Sequence, residues 1–290
     1  MKTIDSGGLG LTSIKESSGA AFLPEELLPE FKPDVFEEAP VVRSDAYYNE
    51  EKGKLVTSIH GWLFRHAGKL ILVDTGRGRR QEQGIDQAPF FVSLTEAGVT
   101  PAEIDIVLLT HFHTDHIKNN TLFQGGSWVP AFPNARYIAG KREHDHWYPG
   151  GAGLTIFPRQ ASLMETAVDP LSQAGQLDLI VDDAEILPGL RARCVPGHTI
   201  TQLAYVLESE QNIFLFAADS FHHPVQVYRP QWSSIVCEAP DVAHQTRLDL
   251  LEFCASTGAV LLASHFAGSR AAQIERTPTG YAFVPVKILG

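Results

Sequence analysis

Six consecutive residues, His111-Phe112-His113-Thr114-Asp115-His116, hold four side chains of metal-ligand type, and three of the chain's twelve histidines fall within them. His111 and His113 are two apart, so both imidazoles can turn toward one point from the extended end of a strand. Asp115 and His116 are adjacent and can serve a second point nearby. Imidazole together with carboxylate suits zinc and similar borderline metals. Without a cation, four such groups crowded at the end of an apolar strand would be costly to desolvate. The competing reading, a His-rich surface loop, has to contend with the apolar run Ile104–Leu109 that leads directly into the motif.

Three further residues repeat one pattern, an apolar segment followed by a ligand-type side chain. His198 follows Val195-Pro196-Gly197. Asp219 ends the run Phe214-Leu215-Phe216-Ala217-Ala218. His265 follows Val260-Leu261-Leu262-Ala263-Ser264. Taken singly, each reads equally well as a capping or buried polar residue. Together with the hexamer they reach seven ligands, enough for two metal ions and a bridging water.

The elements that must position these groups can be read from periodicity and turn chemistry. Leu55–His60 and Trp62–Phe64, a turn at Ala67-Gly68, and Lys69–Val73 form a β-meander that ends at Asp74-Thr75-Gly76. Phe90–Gly98 reads as a helix stopped by its glycine, and Thr100-Pro101-Ala102-Glu103 as a capping box opening a short turn. Ile104–Leu109 is a buried strand. Further strands are expected near Ala135–Ile138 and at residues 177–181, 190–195, 202–208 and 213–217, with a last core strand at Ala259–Ala263. Helices are expected at Lys141–Tyr148, Arg159–Val168 and Ala239–Thr257. Pro149–Gly153 reads as a flexible loop. Residues 1–40, rich in Gly, Ser and Pro, read as an arm or short helix that packs on the domain or on a partner subunit. Residues 41–290 show no linker and are expected to form a single layered α/β domain.

Composition narrows the partners. A net charge of −11 over 290 residues argues against nucleic acid and against an anionic membrane surface. No stretch is long and apolar enough for a membrane span, and the first residues lack a signal-peptide run, so a cytoplasmic location is expected. Three widely spaced cysteines, Cys194, Cys237 and Cys254, read as reduced thiols. The expected partner is a small-molecule substrate.

The ordered set Thr-His-Phe-His-Thr-Asp-His, Gly-His-Thr, the Asp of Ala-Ala-Asp-Ser, and Ser-His resembles the metallo-β-lactamase superfamily over roughly residues 55–266. The resemblance implies a four-layer αβ/βα sandwich. It implies a first metal on His111, His113 and His198, and a second on Asp115, His116 and His265, with Asp219 bridging and Asp74 in support. Two zinc ions are implied, with Mn2+, Co2+ or Fe2+ as alternatives. His113 stands where flavodiiron-type relatives carry a carboxylate, which favours zinc hydrolysis over iron redox chemistry. Asp219 resembles a bridging carboxylate that true β-lactamases of this fold lack.

Asp219-Ser-Phe-His-His-Pro and the C-terminal Gly-Tyr-Ala-Phe-Val-Pro-Val are similar to the branch containing methyl parathion hydrolase and quorum-quenching lactonases, which are often dimeric. A homodimer is therefore expected. His222, three residues past Asp219, stands where shorter lactonases have Tyr. It is a candidate proton donor or oxyanion partner, alongside Asp115 and Asp219 as catalytic residues; His223 carries no such role. Trp147, Tyr148 and Phe157 could form an aromatic substrate wall or simply pack in the core. The implied activity is zinc-dependent hydrolysis of a lactone or ester. The alternatives are hydrolysis of phosphotriesters or aryl xenobiotics, including hydrolytic dehalogenation, and a metal-binding sensor without catalysis.

Overall fold

The computed structural model describes residues 2–6, 9–79 and 84–287. Contacts gather into two compact units. One comprises the chain through Ser17 together with Ile59–Pro188; the other comprises Ser18–Ser58 and the chain from Gly189 onward.

In the first unit the sheet order places Lys69–Val73, Ile106–Leu108, Arg136–Gly140 and Leu177–Ile180 side by side, all parallel. Lys54–His66 joins Lys69–Val73 as an antiparallel hairpin, with Trp62 opposite Val73. The turn between them, Ala67-Gly68, takes positive φ at both residues, as tight hairpins require. Ile71, Leu72, Val107, Leu108, Tyr137 and Ala139 are buried, as expected of strands covered on both faces. Val73 pairs with Leu108 in parallel register, so both chains leave the sheet at the same edge. There the first delivers Asp74 and the second Thr110-His111. Carboxyl ends of parallel strands are where open α/β sheets place ligands.

The second unit repeats the device. Leu190–Cys194, Leu203–Glu208 and Ile213–Phe216 are antiparallel neighbours, and Ile213–Phe216 runs parallel to Val260–Leu262. Phe216 is the register partner of Leu262, so Asp219 and His265 each stand three residues beyond a paired position. Two antiparallel steps make Leu190–Cys194 run in the same direction as Ile213–Phe216, and His198 therefore emerges at the same edge. Pro240–Thr257, ended by Gly258 in the left-handed region (φ 72°), packs Leu250, Leu251 and Cys254 with Leu215, Leu261 and Phe266.

Three sequence expectations change. Within residues 1–40, read as an arm or short helix, residues 2–6 and 9–22 form two antiparallel strands, Ile4 opposite Leu11. Their Gly and Ser content masks the pattern that buries Leu11, Ser13 and Ile14; Gly7 and Gly8 lie outside the described residues. Helix is confined to Pro24–Leu27 and Val35–Glu38 in this region. Its apolar groups Leu27, Leu28, Phe31, Val35 and Phe36 are buried with Leu55, Val225 and Trp232 of the same unit. Pro149–Gly153, read as a loop, is a turn that runs into the short helix Ala152–Ile156; a Cβ at Gly151 would lie 2.3 Å from the carbonyl oxygens of Asp145 and His146. Ala271–Thr277 and Gly280–Pro285, absent from the expected strands, form a further hairpin. Among the described residues no helix is long and apolar enough to cross a membrane.

Candidate metal centre

In the first unit the strand Ile106–Leu108 ends and the chain turns through His111-Phe112-His113 into one helical turn, Thr114–Ile117. His111 and His116 are buried and their ring centroids are 4.0 Å apart; His113 lies 4.7 Å from His111. Asp115 is the more exposed carboxylate, with Oδ1 3.9 Å from His116 Nε2. The four ligand-type residues of the hexamer are thus gathered at one place by local geometry.

Asp74 organises this group. Its conformation is left-handed, φ 56°, which Asp adopts more readily than most residues. It accepts a hydrogen bond from His116 Nδ1 at 2.8 Å, from the Thr110 amide at 2.9 Å and from the Thr110 hydroxyl at 2.9 Å. Because the Thr110 hydroxyl gives its only proton to Asp74, it accepts from His111 Nδ1, 3.0 Å away. Both imidazoles therefore carry the proton on Nδ1 and keep the Nε2 lone pair for another partner. This is how supporting carboxylates commonly fix metal-binding histidines. Thr75 holds the other side of the turn: its amide donates to the His116 carbonyl at 2.7 Å.

In the second unit His198, Asp219, His222 and His265 converge. Asp219 Oδ2 lies 3.4 Å from His198 Nε2, 3.5 Å from His222 Nε2 and 2.9 Å from His265 Nε2. Within this unit, His198, Asp219 and His222 offer ligand atoms within 4.8 Å of one another. His265 Nδ1 donates to the Ser58 carbonyl at 2.9 Å, and the Ser58 amide returns a bond to the His265 carbonyl at 3.1 Å. With Nδ1 committed as donor, a neutral His265 turns the bare Nε2 lone pair toward a carboxylate oxygen. Two acceptors at 2.9 Å repel unless a cation, a proton or a metal ion, lies between them. Three imidazole nitrogens around one buried carboxylate oxygen are a donor set of the chemistry that zinc takes.

His222 and His223 separate clearly. His222 faces Asp219 and stacks on His265 at 5.5 Å between ring centroids. His223 turns away. Its Nε2 donates to the Tyr47 carbonyl at 2.8 Å and its Nδ1 accepts from the Val225 amide at 3.3 Å. Burial pushes its pKa down to about 4. His223 is therefore a neutral brace, and replacing it would disturb the core. Gln226 Oε1 accepts both His222 and His223 amides, at 2.7 and 3.2 Å, and shapes this turn.

The aromatic trio splits as well. Trp147 is fully buried, 5.7 Å from His113 and 6.2 Å from the exposed Phe157. Tyr148 is half-buried, stacks on His144 and donates to Asp169, and burial raises its pKa. Sequence reasoning missed Thr110, Ser58 and the buried Glu143. Thr110 could have been found as the residue that joins the strand to the hexamer. Ser58 contributes through its backbone, and Glu143 sits in a helix whose composition looks solvent-exposed.

Residues 56–265 match the Metallo-beta-lactamase superfamily (Lactamase_B). No curated protein matches the sequence. Among solved structures, the chain is similar to the hydrolase AbOPH of the beta lactamase superfamily, at 20% identity and TM-score 0.82 over 99% of this chain and 98% of that one. It is similar to AidC, described as a dizinc quorum-quenching lactonase, at 22% identity and TM-score 0.79 over 100% and 98%. A probable metal-dependent hydrolase from Staphylococcus aureus aligns at 18% identity and TM-score 0.74 over 99% and 100%. At such identities the likeness speaks to the mixed α/β fold, while the match over residues 56–265 decides membership: the chain belongs to the metallo-beta-lactamase superfamily.

Proposed function

We propose that this protein is a dinuclear metal-dependent hydrolase that opens a lactone or cleaves an ester-type small molecule. The observation that carries the reading is the Asp219 carboxylate, buried with Nε2 of His198, His222 and His265 around one oxygen. His111, His113 and His198 would hold one ion, and Asp115, His116 and His265 the other, with Asp219 shared. Zinc is the proposed metal. When bound, such a pair supplies an acidified water as nucleophile and polarises the electrophilic oxygen.

The chain's own residues do the rest. Asp74 and the Ser58 carbonyl hold His116 and His265 in the Nδ1-protonated form, which leaves each Nε2 to bind a metal ion. Asp115, the half-buried carboxylate of the hexamer, would accept a proton from the attacking water. His222, beside Asp219, would hydrogen-bond the oxygen that becomes negative as the carbonyl is attacked. No serine or cysteine nucleophile is required.

A second reading, hydrolysis of aryl phosphotriesters or related aromatic compounds, is favoured by the exposed Phe157, whose ring packs 6.2 Å from the buried Trp147 beside His113. A panel of lactones, aryl esters, phosphotriesters and chlorinated aromatics, offered to zinc-loaded protein of measured metal content, decides between them. Lactone or ester turnover that is lost on chelation and restored by zinc is the expected result. Two zinc ions per chain with no turnover of any member would overturn the enzymatic reading.

A further inference from the structure

We propose that Glu143 is a positioning residue of the metal centre, which, with Gln160, clamps the peptide between His111 and His113. The proposal rests on the metal-binding role proposed above. Glu143 lies in the helix Lys141–Trp147 and is 1% exposed. A carboxylate buried to that extent loses its hydration and needs specific donors in return. Its Oε1 accepts the Phe112 amide at 2.9 Å and the Trp147 indole Nε1–H at 2.6 Å.

Phe112 is the spacer of the His-x-His pair, and its side chain is fully buried in the core of the unit. The other pole of the same residue is also held: Gln160, at the start of the helix Gln160–Ala167, donates Nε2–H to the Phe112 carbonyl. Two side chains from two helices therefore fix the backbone on both sides of one residue. The orientation of that backbone determines whether the flanking imidazoles point to the same place. The same Glu143 oxygen fixes the Trp147 ring, which lies 5.7 Å from His113 and limits how far that imidazole can swing. One carboxylate thus sets both the backbone and the aromatic neighbour of the His111–His113 pair.

A clamp of this kind acts on metal affinity before it acts on chemistry. Outer groups that orient metal ligands typically account for about 10- to 100-fold in affinity. The test uses the full chain and the variants Glu143→Gln, Glu143→Leu and Gln160→Ala. Zinc affinity is measured by chelator competition, and the ligand field by the visible absorption of the cobalt-substituted protein. Glu143→Gln keeps an acceptor for both donors and should bind zinc within about threefold of wild type. Glu143→Leu and Gln160→Ala should weaken the site proposed on His111 and His113 about 10- to 100-fold and alter the cobalt spectrum. Gln160 is half-buried on a separate helix, so its variant carries the test if Glu143→Leu fails to fold. Wild-type affinity and spectrum in folded Glu143→Leu and Gln160→Ala would overturn the clamp alone. A wild-type chain that takes up no zinc would overturn the proposed function and this role with it.

Discussion

His116 Nδ1 lies 2.8 Å from Asp74 Oδ2, with both side chains shielded from solvent. The same carboxylate holds Thr110, and Thr110 in turn orients His111, so one acidic residue sets the tautomer of two ligand-type histidines. Asp74→Asn is a sharp probe because Asn tolerates the left-handed backbone while replacing one acceptor oxygen with a donor. It should lower zinc affinity by about 10- to 100-fold with the fold retained. Chelator competition alongside far-UV dichroism would show this, and unchanged affinity would remove Asp74 from the site.

Asp219→Asn should cost more than affinity. A neutral amide is a poorer ligand than a carboxylate and cannot balance the charge of two cations. Elemental analysis is expected to give two zinc ions per chain in the wild type and fewer in the variant, with most activity lost. One ion per chain in the fully loaded wild type would end the dinuclear proposal.

His222→Ala should keep the metal content and lower kcat more than it raises KM, by about a hundredfold if the imidazole serves a developing oxyanion. Elemental analysis of the same sample distinguishes the alternative that the geometry also permits. Loss of zinc would make His222 a ligand, because its Nε2 shares Asp219 with His198.

His223 should make stability depend on pH. Its native form is the neutral ring, with a pKa lowered from 6.5 to about 4 by burial. The unfolded chain therefore binds a proton that the native state refuses, and stability falls as pH drops from about 6.5 toward 4. The loss from this group alone is on the order of 3 kcal/mol. Urea unfolding of metal-free protein at several pH values should show a steeper acid loss in the wild type than in His223→Gln. Parallel curves would mean that His223 is not the group responsible.

The homodimer remains a proposal with a changed footing. Of the apolar side chains in residues 1–40, Leu27, Leu28 and Phe31 are buried within their own unit, whereas Phe22 and Leu23 are exposed. The expectation of a dimer now rests on the resemblance, and the exposed Ile235 offers a place to test it. Light scattering should give twice the chain mass, and Ile235→Asp should shift it toward monomer. A wild-type monomer at high concentration would dispose of the idea.

The sequence by itself determined the identity of the ligand-type residues and the strands that carry them. Apolar runs such as Ile104–Leu109 and Phe214–Ala218 stop abruptly at groups that cannot be buried alone, and that contrast is local. Turn residues and the Thr100–Glu103 capping box were legible for the same reason. Only the tertiary structure decided what holds the ligands in place. Asp74 meets His116 across forty-two positions of chain, and Ser58 meets His265 across 207; such partners depend on strand register, which no local pattern encodes. It also decided His223 against His222. The two are adjacent and chemically identical, and only the direction of the backbone after Asp219 turns one toward the carboxylate and the other into the core.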